Sequence, residues 1–206
     1  VGKRKFFCIG LNKTGTTSVK KEMELQGFTV GDQRLAELLF DDWVKRDFKR
    51  IIRYCYSAEV FQDIPFSYPY TYIALDQSFS GSKFILTIRD NAEVWYNSLI
   101  RFHGKLWRKG NVPPTTENLR NATYISKGFP YHTHFHVYNV PKDDPYRKNI
   151  LIEHYERHKH NVIDYFRYRP DDLLVINLKN PEDYSKFCSF INCKQTRDGF
   201  PWENKT

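Results

Sequence analysis

Nine residues near the amino end, Gly10-Leu-Asn-Lys-Thr-Gly15-Thr-Thr-Ser18, hold the types and spacing most able to do chemistry. The apolar run Lys5 to Leu11 reads as a buried strand, and Thr16 to Gln26 reads as a helix with Val19 and Met23 on one face and Gly27 as its stop. A glycine-bearing turn between a strand and a helix exposes successive backbone N–H groups. The helix start adds partial positive charge, so the loop is an anion site. Gly10 and Gly15 have the separation of a nucleotide-binding P-loop, but residue 16 is Thr where a triphosphatase needs Lys. The lysine lies inside the loop instead, at Lys13. From there it can meet a leaving oxygen whose charge grows as a bond breaks, the kind of stabilisation that speeds group transfer. An ordinary turn lysine beside a helix start is the plain alternative.

A second element strengthens the chemical reading. Phe84 to Ile88 is a buried strand that runs into Arg89-Asp90. A triphosphatase favours an acidic residue at that strand end to hold Mg²⁺. A guanidinium there suits a second phosphate, to which its planar fork gives two hydrogen bonds. Asp90 reads as the cap of the following helix, whose apolar stripe is Trp95, Leu99, Phe102 and Leu106.

The elements that must hold these groups alternate as strand and helix. Asp32 caps a helix from Gln33, with Leu35, Leu38 and Leu39 as its apolar face. Ser57 to Tyr70, broken by Pro65 and Pro69, reads as loop with short helical pieces. Leu151, Tyr155, His158, Val162 and Tyr165 mark a helix, Leu173 to Leu178 a third buried strand, and Pro181 to Phe190 a final helix. Residues 111–144 read as an irregular excursion serving as lid or acceptor-site segment. The pattern predicts an α/β fold in one domain over 1–206, a parallel sheet flanked by helices, with ligands at the carboxyl ends of the strands.

The 32 basic and 24 acidic residues leave a net charge of +8, which suits an anionic ligand or acidic polymer and equally a solvated basic surface. Four scattered Cys (Cys8, Cys55, Cys188, Cys193) lack zinc-ribbon spacing and favour a reducing compartment; Cys8 reads as a buried thiol. No run is long and apolar enough to span a bilayer, and no signal peptide is visible, so a cytoplasmic setting is expected. The chain does not begin with Met, which leaves room for a removed leader or anchor.

On these residues the sequence resembles the P-loop-like sulfotransferases, which use 3′-phosphoadenosine 5′-phosphosulfate (PAPS). Their 5′-phosphosulfate loop is similar to Lys13 to Ser18, and their 3′-phosphate motif to Ile88-Arg-Asp-Asn-Ala-Glu-Val-Trp-Tyr-Asn-Ser98. The tail, with His160-Asn161, Arg169 to Asn177 and Gly199-Phe-Pro-Trp202, resembles a small branch whose acceptors are mostly unassigned. The likeness fades from Asn111 to Asp144.

The resemblance implies a P-loop-like fold and PAPS as donor, with adenosine 3′,5′-bisphosphate (PAP) as product and no metal requirement. It makes Lys13 the catalytic lysine. It assigns the 5′-phosphate to the amides of Thr14, Gly15, Thr16 and Thr17, the hydroxyls of Thr16 and Thr17, and the loop's closing Ser18. It gives the 3′-phosphate to Arg89 and Ser98, although the family's usual serine position is Asn97 here. Lys205 matches basic C-terminal residues that close over the nucleotide in some relatives. Asp63, in Gln62-Asp63-Ile64-Pro65, matches an Asp-x-Pro element and is the first candidate for general base, with His103 as alternative. A small-molecule or glycan acceptor is expected, and no nucleic acid. A P-loop nucleotide or small-molecule kinase is the rival enzyme reading, set back by Thr16 and Arg89. A non-catalytic module for acidic polymers is the rival binding reading. His132, His134 and His136 would share one face of a strand, a spacing able to bind metal but without an evident fourth ligand.

Overall fold

The computed structural model describes residues 4–201, which fall into two compact units. The first is built from the chain up to Arg89 together with the stretch from Lys159 onward; the second runs from Asp90 to His158.

The first unit is organised by a four-stranded, wholly parallel sheet in the order β2-β1-β3-β4. Strand β1 is Phe6–Cys8, β2 Val60–Gln62, β3 Lys83–Thr87 and β4 Leu173–Ile176. Helix α1 (Thr16–Leu25) follows β1 directly, and short helices α2 (Gln33–Glu37), α3 (Phe40–Val44) and α4 (Lys49–Tyr54) lead to β2. Helix α5 (Thr71–Ser78) joins β2 to β3. From β1 the chain moves first to one neighbour, β2, and then back past it to β3. That reversal opens a crevice at the carboxyl ends of β1 and β3.

Both faces of the sheet are covered, so the strands read as continuous apolar runs without alternation. On one face Phe6, Cys8, Val60, Ile85 and Ile176 pack on Val19 and Met23 of α1, and on Tyr184, Phe187, Cys188 and Ile191 of α10 (Pro181–Ile191). On the other, Phe7 meets the rings of Phe61, Phe66, Phe79 and Phe84, and Phe84 meets Phe166. The buried Glu22 carboxylate fixes the tail to α1, accepting from Tyr184 Oη at 3.0 Å and from Arg197 at 3.1 Å.

The second unit is helical: α6 (Ala92–Trp107), α7 (Thr116–Asn121), α8 (Phe129–Tyr138) and the first part of α9 (Lys148–Tyr165). Its core holds Trp95 stacked on Tyr155 at 5.1 Å between ring centroids, with Leu99 and Leu151 buried nearby in the same unit.

Several sequence expectations need correction. Residues 111–144 are not irregular throughout, because α7 and α8 lie within them. A capping box at Thr115 starts α7, and Pro130 sits in the first turn of α8. His132, His134 and His136 are therefore helical, and their spacing of two splits them: His134 is buried, whereas His132 and His136 are exposed. In α2 the buried residues are Ala36 and Glu37, while Leu35 and Leu38 are exposed. Leu106 of α6 is also exposed. The stretch from Ser57 to Tyr70 contains strand β2, whose three residues are too few for periodicity to reveal. Cys188 and Cys193 flank the end of α10 as expected, and both are free thiols.

Candidate active site

The loop after β1 is fixed by close backbone approach. A Cβ on Gly10 would overlap Thr87 Oγ1 and stand 2.7 Å from the Thr87 carbonyl oxygen, so only glycine lets the loop lie against β3. Gly15 takes φ +112°, and a Cβ there would press on Leu178 at 2.6 Å. Lys13 itself is left-handed at φ +67°, a conformation that costs a side-chain-bearing residue about 1 kcal/mol or more.

Thr14 ties the loop down. Its N–H donates to the Leu11 carbonyl at 3.2 Å, its hydroxyl donates to the same oxygen at 2.5 Å, and Thr87 Oγ1 lies 2.6 Å away. Because the Thr14 hydroxyl proton is spent on Leu11, Thr87 is the donor in that last contact. The Thr14 amide thus donates within the loop. The amides of Gly15, Thr16 and Thr17 differ. Among the described residues nothing accepts from them, and they sit at the start of the ten-residue helix α1. Ser18, by contrast, donates its N–H to Gly15 O at 3.0 Å and has a buried side chain. Three consecutive unfilled donors at a helix start form an oxyanion cradle.

Register brings the other groups to the same end of the sheet. Cys8 pairs with Gln62 on one side and with Ile85 on the other, so the loop, Asp63 and Arg89 all emerge at carboxyl strand ends. Arg89 Nε donates to the Lys13 carbonyl at 2.7 Å, which holds the guanidinium against the loop.

Asp63 has φ +60°, which turns it out of the strand. Its Oδ1 is sealed from solvent and among the described residues finds no hydrogen-bond partner, although the residue as a whole is half-buried. Burial pushes its carboxyl up to about 6, and the nearby Glu37 adds to the rise; the Ile64 backbone and Lys13 pull the other way. Glu37, itself buried, belongs to a network that sequence reading did not find. Gln33 Nε2 donates to Ile64 O at 2.9 Å and faces Glu37 Oε1 at 3.5 Å, and Gln62 Nε2 donates to Gln33 Oε1 at 3.2 Å. The Ile64 carbonyl can only accept, so it fixes the orientation of Gln33 and, through it, that of Gln62. The Gln62 side-chain oxygen is left buried and without a partner. The spacing of Gln33 and Glu37, one helical turn apart, was the available signal.

Ser98 and His103 lie on α6, in the second unit. The Ser98 hydroxyl is buried and unpartnered. His103 Nδ1 is 2.9 Å from Tyr146 Oη, and its ring lies 4.5 Å from that of Trp107. Lys205 is outside the described residues. Among the described residues no cluster of three or more His, Cys, Asp or Glu could hold a metal ion, and no helix is long and apolar enough to cross a membrane.

A parallel α/β sheet with an anion-cradling loop at its switch point, a lysine inside that loop and an arginine clamped to it define a protein that handles phosphate- or sulfate-like groups. The family model for the sulfotransferase domain matches residues 5–206, through both units, and the chain belongs to that family. It is a transferase of sulfuryl groups by that membership. No curated protein matches the chain.

Proposed function

We propose that the chain transfers the sulfuryl group of PAPS to a hydroxyl or amine of a small-molecule or glycan acceptor. The observation that carries this reading is the row of unfilled amides at Gly15, Thr16 and Thr17, flanked by Lys13 and by the loop-clamped Arg89. These donors fit a phosphate group. When bound, PAPS supplies a sulfuryl group already activated on a phosphate leaving group.

The chain's residues then divide the work. Amides 15–17 and the hydroxyls of Thr16 and Thr17 hold the 5′-phosphate, and Arg89 with Ser98 holds the 3′-phosphate. The Lys13 ammonium donates to the oxygen on which negative charge develops. Asp63, with its carboxyl near 6 and Oδ1 unfilled, is ionised at neutral pH and takes the proton of the attacking hydroxyl or amine at that oxygen. That the Lys13 ammonium counts among the charges acting on the Asp63 carboxyl supports this assignment.

The test is a calorimetric titration with PAP beside one with ATP and Mg²⁺. Tight PAP binding with weak ATP binding is expected. The reverse would overturn the donor assignment and favour a kinase.

A further inference from the structure

The opposite end of the sheet carries its own cavity. Arg4 and Lys5 precede β1, Ala58 and Glu59 precede β2, and Ser80 and Ser82 precede β3; with Thr29, Tyr56, Ser57, Ser78 and Phe79 these residues line a space of about 640 Å³. That size suits a small-molecule site. Because the strands are all parallel, this is the amino end, remote from the loop at the carboxyl end.

Three features of the lining ask for a ligand. The Ser82 hydroxyl is buried, in a residue only 3% exposed, and among the described residues it has no hydrogen-bond partner. Lys5 is half-buried; its ammonium reaches the Ala58 carbonyl and lies 5.9 Å from the Phe61 ring, but among the described residues it has no carboxylate partner. A partly desolvated ammonium whose described contacts are a carbonyl and a ring face is a site for an anion. Arg4, exposed at the rim, also lacks a carboxylate partner among the described residues. Glu59 is the one acidic side chain of the lining among the described residues, and its Oε2 accepts from the Thr29 amide at 3.0 Å. The third feature is a platform: Tyr56 is 71% exposed and rests against Phe79, with ring centroids 5.3 Å apart. Ser57 and Ser78 donate their hydroxyl protons to Tyr54 O and Ala74 O, so toward the cavity they offer lone pairs.

We infer that this cavity binds a ring carrying a sulfate or phosphate ester. The oxyanion is received by Lys5, Arg4 and the Ser82 hydroxyl, the ring packs on Tyr56 and Phe79, and ring hydroxyls donate to the remaining serines. The inference is independent of the proposed donor site, since the residues and the sheet end differ.

Two-dimensional amide NMR tests it, with glucose 6-sulfate and 4-nitrophenyl sulfate as probes and glucose and 4-nitrophenol as uncharged counterparts. Both sulfates should move the amides of Thr29, Ser57, Ser80 and Ser82, and the counterparts should not. Arg4→Glu and Ser82→Ala should each weaken that response by about tenfold or more. Both variants should leave PAP binding unchanged. A stronger response to the sugar ester identifies the ring as a sugar, and a stronger response to the aryl ester identifies it as aromatic. Shifts confined to Gly15 through Ser18, equal binding of the uncharged counterparts, or an unaltered response in Arg4→Glu would overturn the inference.

Discussion

Replacing Asp63 with Asn should make the protein more stable while removing its transfer activity. The folded carboxyl titrates near 6 against an ordinary 3.8, chiefly because burial opposes its charge. At about pH 7.5, where both states are ionised, that shift corresponds to a cost of about 3 kcal/mol in the folded state. The sign follows from proton counting. Between the two pKa values the folded state holds the proton more tightly than the unfolded chain, so this group lowers stability as pH rises through that window. Asn carries no charge and tolerates the left-handed backbone at this position, so it adds no new strain. Urea unfolding should therefore show Asp63→Asn more stable by up to about 3 kcal/mol at pH 7.5, with the gain shrinking as the pH falls below about 6. Asp63→Ala should gain less, because Ala is disfavoured in that backbone region by about 1 kcal/mol or more. Activity should drop by roughly 10²–10⁴-fold in either variant, as expected when a general base is lost. A stability gain that does not change with pH, or a loss at pH 7.5, would refute the account of a sealed carboxylate.

Further outcomes follow from the same geometry. Lys13→Ala should abolish transfer, with circular dichroism and melting temperature unchanged, because the side chain is half-exposed and Ala carries the same Cβ in the left-handed backbone. A collapsed melting temperature would assign the lysine a structural role. Gly10→Ala should cost at least about 1–3 kcal/mol in urea unfolding, since the new methyl meets the backbone of Thr87 and cannot be relieved without parting β1 from β3. The second unit should loosen in acid. Burial lowers His134 to about 4 and His154 to about 3, and nearby His158, Arg157 and His134 add to the latter effect. Their folded pKa values lie below the unfolded ones, so stability is full above about pH 6.5 and is lost as pH falls toward 4. Hydrogen exchange of α8 and α9 amides against pH would reveal it.

The turn between β1 and α1 was legible as a structural element because its information is local: two glycines at fixed separation, a lysine between them, and an apolar strand before and a helix after. Arg89 was legible for the same reason, as the first residue out of an apolar run. What escaped was set by register or by tertiary surroundings. Strand β2 is three residues long and gains its identity from pairing with β1. The surroundings of Asp63 depend on α2 carrying Gln33 and Glu37 over the end of that strand, which no spacing within Gln62 to Pro65 announces. The alternating histidines misled because a period of two was weighed without the glycine and proline at the start of α8 or Asn139 at its end. The contact between the Thr14 and Thr87 hydroxyls could not be foreseen, since it depends on β3 pairing beside β1.

The 2.7 Å hydrogen bond from Arg89 to the Lys13 carbonyl has a kinetic meaning. A guanidinium has five N–H donors, and one of them is committed to the very residue whose ammonium is proposed to assist bond breaking. Any pull on Arg89 by the nucleotide is thus transmitted to the lysine's backbone. In the proposed reaction, affinity and turnover are then not separate dials. Arg89→Lys, which keeps the charge but cannot reproduce the fork, should disturb the maximal rate along with nucleotide affinity, and a nucleotide lacking its 3′-phosphate should leave the lysine less well aimed even when it fills the loop.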